Sequence, residues 1–396
     1  MTLSLCMIVK NEAASLLQCL NSVKDVVDEI VVLDTGSTDN TVEIAEEFAA
    51  QVYHYQWCDD FSAARNEALK YVTGDWILVL DADETLAPEI VPFLQEAISR
   101  EPYLLINLLR QEIAAEQSPY SLVSRLFRNH PDISFSRPYH ALVDDSVSLI
   151  LSQEPHWQIG YLPEVAILHT GYKKSTIAAH NKFAKAQAAM EGFIARNPTD
   201  PYVCSKLGAL YVQTGKINAG IELLKRGLAS KLVNEQILYE LHYHLGIGYT
   251  KLHNLQQAFQ HYQAATQVQI HPPLKLGAYN NLGNLLKLSG DVVAAKNVYA
   301  ATVEIDPNFA FGHYNLGMTL KALGNFSDAI AAYQKAIQLN PHYAEAYQNL
   351  GVVLLKLGNV PDGLTAFRSA IALHEQKDPQ EAQRLRQGLQ QMGFVV

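Results

Sequence analysis

Apolar positions in the first 90 residues fall into short unbroken runs separated by stretches with helical spacing. Leu3 to Val9 reads as a buried strand. Ala13 to Val23 sets Leu16, Leu17, Leu20 and Val23 on one helical face. Glu29 to Leu33 predicts a second strand ending at Asp34, Thr41 to Ala50 and Phe61 to Val72 predict helices, and Trp76 to Leu80 predicts a strand ending in Asp81. Strand–helix–strand alternation implies a parallel sheet with helices on its faces. Ligands of such sheets bind at the carboxyl ends of the strands. Asn11, Glu12, Asp34 and the run Asp81-Ala82-Asp83-Glu84 all stand there.

The second half has a different period. Leu282–Gly283, Leu316–Gly317 and Leu350–Gly351 recur every 34 residues, as do Gly290, Gly324 and Gly358, and Pro307 and Pro341. With Ala329, Tyr333 and Ala336 at their places, this pattern is similar to the tetratricopeptide repeat. The small residues let two helices approach, the aromatic fills the gap, and the proline stops the second helix. Looser copies around Leu207–Gly208 and Leu245–Gly246 bring the count to five, starting near 201, 239, 276, 310 and 344. An amphipathic helix from Pro379 to Gln391 is expected to cap the stack. The expected plan is an α/β domain over 1–175, a linker helix over 176–200, repeats over 201–375 and a cap over 376–396.

Charge sharpens the division. The net charge is −10, but residues 1–175 hold 11 Lys and Arg against 26 Asp and Glu. An acidic first half argues against nucleic-acid binding, which needs a basic footprint. It suits a site for a divalent cation. No apolar run approaches the ~18 residues of a membrane helix, and no basic segment precedes the first apolar run. Cys6, Cys19, Cys58 and Cys204 form no CxxC pair. The expectation is a cytoplasmic protein with reduced thiols.

No GxGxxG follows the first strand and no GxxxxGK[ST] occurs, so neither a dinucleotide fold nor a P-loop is indicated. Asp81 and Asp83, directly after a buried strand, can present two carboxylates to Mg²⁺ or Mn²⁺; alone, the pair reads as a solvated turn sooner than as a ligand set. Three blocks add context: Met7-Ile-Val-Lys-Asn-Glu12 with Val32-Leu-Asp-Thr-Gly-Ser-Thr-Asp-Asn-Thr41, then Asp60-Phe-Ser-Ala-Ala-Arg-Asn66, then Gly74-Asp-Trp-Ile-Leu-Val-Leu-Asp-Ala-Asp-Glu84. Over roughly residues 1–190 the chain resembles family 2 glycosyltransferases of the GT-A fold, with weaker continuation through Arg125-Leu-Phe-Arg128 and Ile167-Leu-His-Thr-Gly-Tyr172. The resemblance implies a Rossmann-like GT-A domain followed by a tetratricopeptide solenoid. It implies that Asp34, Asn11 and Glu12 line the nucleoside pocket of a nucleotide-sugar, that Arg65 lies near its diphosphate, and that Asp81 approaches the ribose or the metal. It also implies Asp83 as the direct ligand of Mn²⁺ or Mg²⁺, with His169 as a further one. Asp39 reads as a helix cap.

The proton acceptor is less plainly marked. In the subgroup resembled, a glutamate follows the histidine at the position of His140, and here Ala141 stands there. In an extended strand His140, Leu142 and Asp144 share one face, which makes Asp144 the substitute base; the alternative is a hairpin turn at Asp144–Asp145–Ser146. In the repeats, Asn281, Asn315 and Asn349 recur every 34 residues before the Leu–Gly pair. They form either a ladder for an extended peptide or hydrogen bonds that fix repeat stacking. Two functions follow. One is metal-dependent inverting transfer of a sugar, from a UDP-sugar donor, to a peptide, protein or saccharide acceptor recruited by the repeats. The other is a non-catalytic scaffold on a degenerate transferase domain. Neither involves nucleic acid.

Overall fold

The computed structural model describes residues 1–113, 115, 117–171, 180–231 and 233–394. The end of the motif at Tyr172, and residues 176–179 of the expected linker helix, lie outside the described residues. The chain divides into two compact units, Met1–Val233 and Asn234–Val396. The first helical pair of the expected repeat array therefore groups with the α/β half.

The first unit runs β1 (Leu3–Val9), α1 (Ala13–Val23), β2 (Glu29–Asp34), α2 (Thr41–Glu47), β3 (Gln51–His54), α3 (Phe61–Leu69), β4 (Trp76–Val79), β5 (Glu84–Leu86), α4 (Val91–Ser99), β6 (Tyr103–Glu112), β7 (Tyr120–Arg128), α5 (Asp144–Gln153), β8 (Gln158–His169) and α6 (His180–Arg196). The helical pair α7 (Pro201–Gln213) and α8 (Ile217–Leu228) follows. One mixed sheet carries the order β3-β2-β1-β4-β7-β6-β8-β5. The expected parallel part is β3-β2-β1-β4. Beyond β4 the sheet is mixed: β7 runs antiparallel to β4 and to β6, β8 runs parallel to β6, and β5 runs antiparallel to β8.

Alternation along the strands builds two cores. Leu3, Leu5, Met7 and Val9 face the layer holding Leu16, Leu20 and Val23 of α1 and Leu94 of α4. Cys6, Val31, Leu33, Ile77 and Val79 face the layer holding Ala64 and Ala68 of α3 and Val147 and Ile150 of α5. Burying each such aliphatic side chain is worth about 1.5–3 kcal/mol. Both faces of the central strands are covered, which is why they read as unbroken apolar runs.

A register shift matters for the site. Ile106 pairs with Leu126, but Leu108 pairs with Val123. Two residues of β7, Ser124 and Arg125, thus oppose one residue of β6, Asn107. Such a bulge re-aims side chains that strict alternation would send to opposite faces.

The second unit is helical: α9 (Glu235–Lys251) with α10 (Leu255–Gln267), α11 (Leu276–Leu288) with α12 (Val292–Ile305), α13 (Ala310–Ala322) with α14 (Phe326–Leu339), α15 (Ala344–Lys356) with α16 (Val360–Lys377), and α17 (Pro379–Gln391). The second pair begins at Glu235, not near 239, because Asn234 caps it by accepting from the Ile237 amide at 2.8 Å. Tyr299 and Tyr333 are fully buried against Gly283 and Gly317.

The strand expected to carry His140 and Asp144 does not form. Between β7 and α5 there is only an isolated bridge, Ser136 to Leu142. Arg137 and His140 both adopt positive φ, 75° and 53°, which breaks an extended run. Asp144 and Asp145 instead open α5, where carboxylates favour a helix N-terminus. His140 is exposed while Asp144 is largely buried, so they do not share a strand face.

Candidate active site

The carboxyl ends of β1, β2 and β4 bring the acidic residues together. At the end of β2, Asp34 is buried at 4% exposure. It accepts from the Gly36 amide at 3.1 Å and the Ser37 amide at 3.0 Å, and His54 Nδ1 lies 3.4 Å away. Burial pushes its pKa up, but these hydrogen bonds outweigh that and hold the carboxyl below its ordinary value. After β1, Asn11 takes a positive φ of 56°; its Oδ1 accepts from the Thr38 amide at 2.7 Å, and its own amide donates to Ser37 Oγ at 2.9 Å. The Glu12 amide donates to Thr41 Oγ1 at 2.8 Å. Asp39 accepts from the Thr41 and Ala13 amides, each at 3.2 Å, but the N-cap position of α2 is Asn40 and not Asp39. The β1 and β2 termini thus form one hydrogen-bonded rim.

After β4, Asp81 and Asp83 part company. The Asp81 carboxylate is clamped by two guanidinium groups, with Arg65 Nη2 at 2.6 Å and Arg125 Nη2 at 3.0 Å. Burial raises its pKa, and the charges of Arg125 and Arg65 overcome this, so Asp81 stays ionised well below the carboxylate range. Arg65 comes from α3, is 6% exposed, and lies over the Phe135 ring at 5.4 Å. Arg125 comes from the bulge in β7. Asp81 therefore orders two cations.

Asp83 meets His169 at the end of β8, where Nε2 lies 3.2 Å from Asp83 Oδ2. The other ring nitrogen, Nδ1, is 2.5 Å from Glu112 Oε2. Glu112 Oε1 is 2.9 Å from Arg110 Nη2, and Arg110 Nη1 is 2.8 Å from Glu84, which is wholly buried. Burial disfavours a charged imidazole, yet hydrogen bonds to Asp83 and Glu112 lift the His169 pKa to about 9. The Asp83 backbone is pinned, its carbonyl accepting from Thr170 N and Oγ1, both at 3.1 Å. Gly171 leaves the space beside this pair open, since a Cβ there would stand 2.2 Å from Asp83 Oδ2 and 2.6 Å from His169 Nε2.

Among the described residues no cluster of three or more His, Cys, Asp or Glu forms a complete metal cage. Asp83 and His169 would supply two protein donors to a divalent cation, leaving the rest of its shell to substrate phosphates and water. The chemistry of the donors fits as well: a carboxylate, an imidazole, and a carboxylate orienting that imidazole from behind.

Asp144 lies on the other side of the β7 bulge. Its Oδ1 accepts from Ser124 Oγ at 3.0 Å, and its buried Oδ2 has no hydrogen-bond partner. Burial raises its pKa, only partly offset by the Ser124 hydroxyl. Sequence reasoning gave no role to Arg125, Arg110, Glu84 or Glu112. Arg110 and Glu112, two apart on one strand, were the available signal, because a charged pair in an otherwise apolar strand has to find partners.

In the repeats, Asn315 is 4% exposed and its Nδ2 donates to Asn280 Oδ1 at 2.8 Å. That is the stacking alternative, since no peptide can reach it. Asn349 is engaged by Lys321 Nζ at 2.5 Å and by the Tyr314 hydroxyl at 3.3 Å. Asn281 is half-buried and accepts from Asn280 Nδ2 at 3.5 Å.

A mixed sheet with acidic groups at the ends of its parallel strands, followed by 34-residue helical pairs, is the build of a glycosyltransferase domain joined to a repeat array. Residues 4–160 match the family profile described as glycosyl transferase family 2, and residues 276–309 and 317–358 match tetratricopeptide repeat profiles. A TPR repeat-containing protein of Synechococcus elongatus is 45% identical over 304 residues, covering 77% of this chain and 75% of its own. A glycosyltransferase of Rickettsia felis is 30% identical over 193 residues, 46% of this chain and 68% of its own. The SPbeta prophage-derived glycosyltransferase SunS of Bacillus subtilis is 27% identical, over 59% of this chain and 55% of its own. The crystal structure of MamA is similar to the helical part, at 22% identity and a TM-score of 0.38, over 43% of this chain and 96% of that one. The chain belongs to glycosyltransferase family 2 and carries C-terminal tetratricopeptide repeats. No described helix is long and apolar enough to cross a membrane.

Proposed function

We propose that this protein transfers a sugar, with inversion, from a UDP-sugar to a peptide, protein or saccharide acceptor brought to it by the repeats. The observation that carries the reading is the convergence of Asp83 and His169, backed by Glu112 and kept open by Gly171. Asp34, Asn11 and Glu12 bind the nucleoside on the β1–β2 rim, and Arg65, ordered by Asp81, faces the diphosphate side. Asp83 and His169 hold Mn²⁺ or Mg²⁺, with Asp81 behind them; when bound, the cation supplies neutralisation of charge on the departing diphosphate. Asp144 takes the proton of the attacking acceptor hydroxyl. Its buried Oδ2 has no hydrogen-bond partner and is left to accept from that hydroxyl, and burial moves its basicity toward the working range of a general base. His140, exposed on the same loop, stands at the acceptor rim.

The test is Asp83→Ala in the full chain. It should abolish Mn²⁺-dependent turnover of a panel of UDP-sugars while circular dichroism stays that of the parent. Undiminished turnover would remove the metal role and with it this reading.

A further inference from the structure

The loop from Ser136 to Asp145 is held from three sides. Its ends are closed by the Ser136 amide to the Leu142 carbonyl at 2.8 Å and the reverse bond at 3.2 Å. Its Pro138 carbonyl accepts from the Phe61 amide at 3.0 Å, at the start of the helix that carries Arg65. The third anchor comes from the first helical pair of the repeat array. The Arg137 side chain is only 8% exposed and sits between two carboxylates, with Nη1 2.6 Å from Asp145 Oδ2 and Nη2 2.9 Å from Asp200 Oδ2.

Asp200 has a second bond, since its Oδ1 caps α7 by accepting from the Val203 amide at 2.8 Å. Two residues on, Tyr202 stacks under Arg137 at 5.1 Å. Arg137 holds a positive φ of 75°, a conformation that a non-glycine residue keeps only where its surroundings over-determine it. Those surroundings are Asp145 on the catalytic side and Asp200 with Tyr202 on the repeat side.

We propose that Asp200 and Tyr202 are positioning residues of the transfer site, so that the first helical pair is one of its walls and sets, through Arg137, the loop that delivers Asp144. This deepens the function proposed above and rests on it for the role of Asp144. The α/β domain is then incomplete without residues 201–228. A partner seated on that first pair has a direct mechanical path to the base.

The experiment uses the full chain and Asp200→Asn, which keeps the cap but removes the charge facing Arg137; Arg137→Lys, which keeps a charge but cannot bridge two carboxylates, is the second variant. The first readout is UDP-sugar hydrolysis with Mn²⁺. We expect kcat to fall at least tenfold with KM within twofold, because the donor pocket is untouched. The second readout is hydrogen exchange at the Ser136 and Leu142 amides, expected to quicken at least tenfold in both variants. Unchanged kcat together with unchanged exchange overturns the proposal, as does a matched loss of kcat and donor affinity without loop loosening. Should the parent hydrolyse no UDP-sugar, that outcome counts against the proposed function, and the exchange rates alone decide this inference: protected amides in the variants refute it.

Discussion

Gly171 is the most economical probe of the site. Its missing side chain, and no contact of its own, leaves room beside Asp83 and His169. A Cβ built there lands 2.2 Å from Asp83 Oδ2 and 2.6 Å from His169 Nε2, where ordinary contact begins at 3.4 Å, so the carboxylate has to retreat by about 1 Å. It cannot retreat with its backbone, which Thr170 N and Oγ1 hold at 3.1 Å each. The side chain must rotate away, and with it the bond to His169. Losing the support of a metal ligand typically costs about 10- to 100-fold in affinity, and misplacement of a reacting group by about 1 Å costs about 10²-fold in rate. Gly171→Ala should therefore weaken Mn²⁺-dependent UDP binding, read by titration calorimetry, by one to two orders of magnitude. Because Asp83 is partly exposed, the melting temperature should move by no more than the ~2–4 °C that corresponds to about 1 kcal/mol in a unit of this size. Affinity within twofold of the parent would refute the idea that this gap is the cation's place.

Two further outcomes follow from burial. Asp144 has a folded pKa raised above its ordinary 3.8, so the folded state binds its proton more tightly than the unfolded chain does. Stability linked to it is fully present below that ordinary value and is lost as pH rises through the raised one. Asp144→Asn should therefore melt higher than the parent at pH 7, converge with it near pH 3.5, and lose sugar transfer; a lower melting point at pH 7 would show that the buried carboxylate is not a cost. In the repeats, a Cβ on Gly283 would stand 2.6 Å from the fully buried Tyr299 ring. Gly283→Ala should lose about 1–3 kcal/mol to overpacking and regain at most ~1 kcal/mol from helix propensity; urea denaturation showing equal or greater stability would contradict the close packing of that pair.

What the sequence displayed depended on whether a feature was local. The strand Leu3–Val9, the helix Ala13–Val23 and the cap Pro379–Gln391 lie where periodicity set them, because each buries a face that its own spacing defines. The helices at Thr41 and Phe61 stop three residues early, at Glu47 and Leu69, where the chain turns toward β3 and β4. The far half of the sheet was not read, since apolar residues in β6 and β7 carry no mark of their partner or direction. The placement of Asp144 failed for a related reason. Counting residues assumes an extended chain, and two positive φ angles in four residues turned the segment into a loop and a helix start. The clamp on Asp81 was hidden too: Arg125 points at it only because β7 carries one extra residue against β6, a fact of pairing between strands distant in sequence.

That bulge also explains why the site has two charge systems. On one side the single charge of Asp81 is shared between Arg65 and Arg125, two cations that repel each other across it. On the other side the charges alternate from Glu84 to Arg110 to Glu112 to His169 to Asp83. Glu84 has no exposed surface, and a carboxylate there is tolerable only because Arg110 answers it and the Asp81 amide donates to it at 2.8 Å. The Glu84 contact thus ties the two systems into one rigid unit: the carboxylate that fixes the Asp81 backbone also fixes the arginine that fixes Glu112, and Glu112 fixes the imidazole. Preorganisation of this kind is what a donor pair needs if only two protein groups are to hold a cation. It also predicts the order of failure, because loosening Arg110 should disturb His169 and Asp83 before it disturbs Arg65, so that metal dependence would shift while the diphosphate side kept its place.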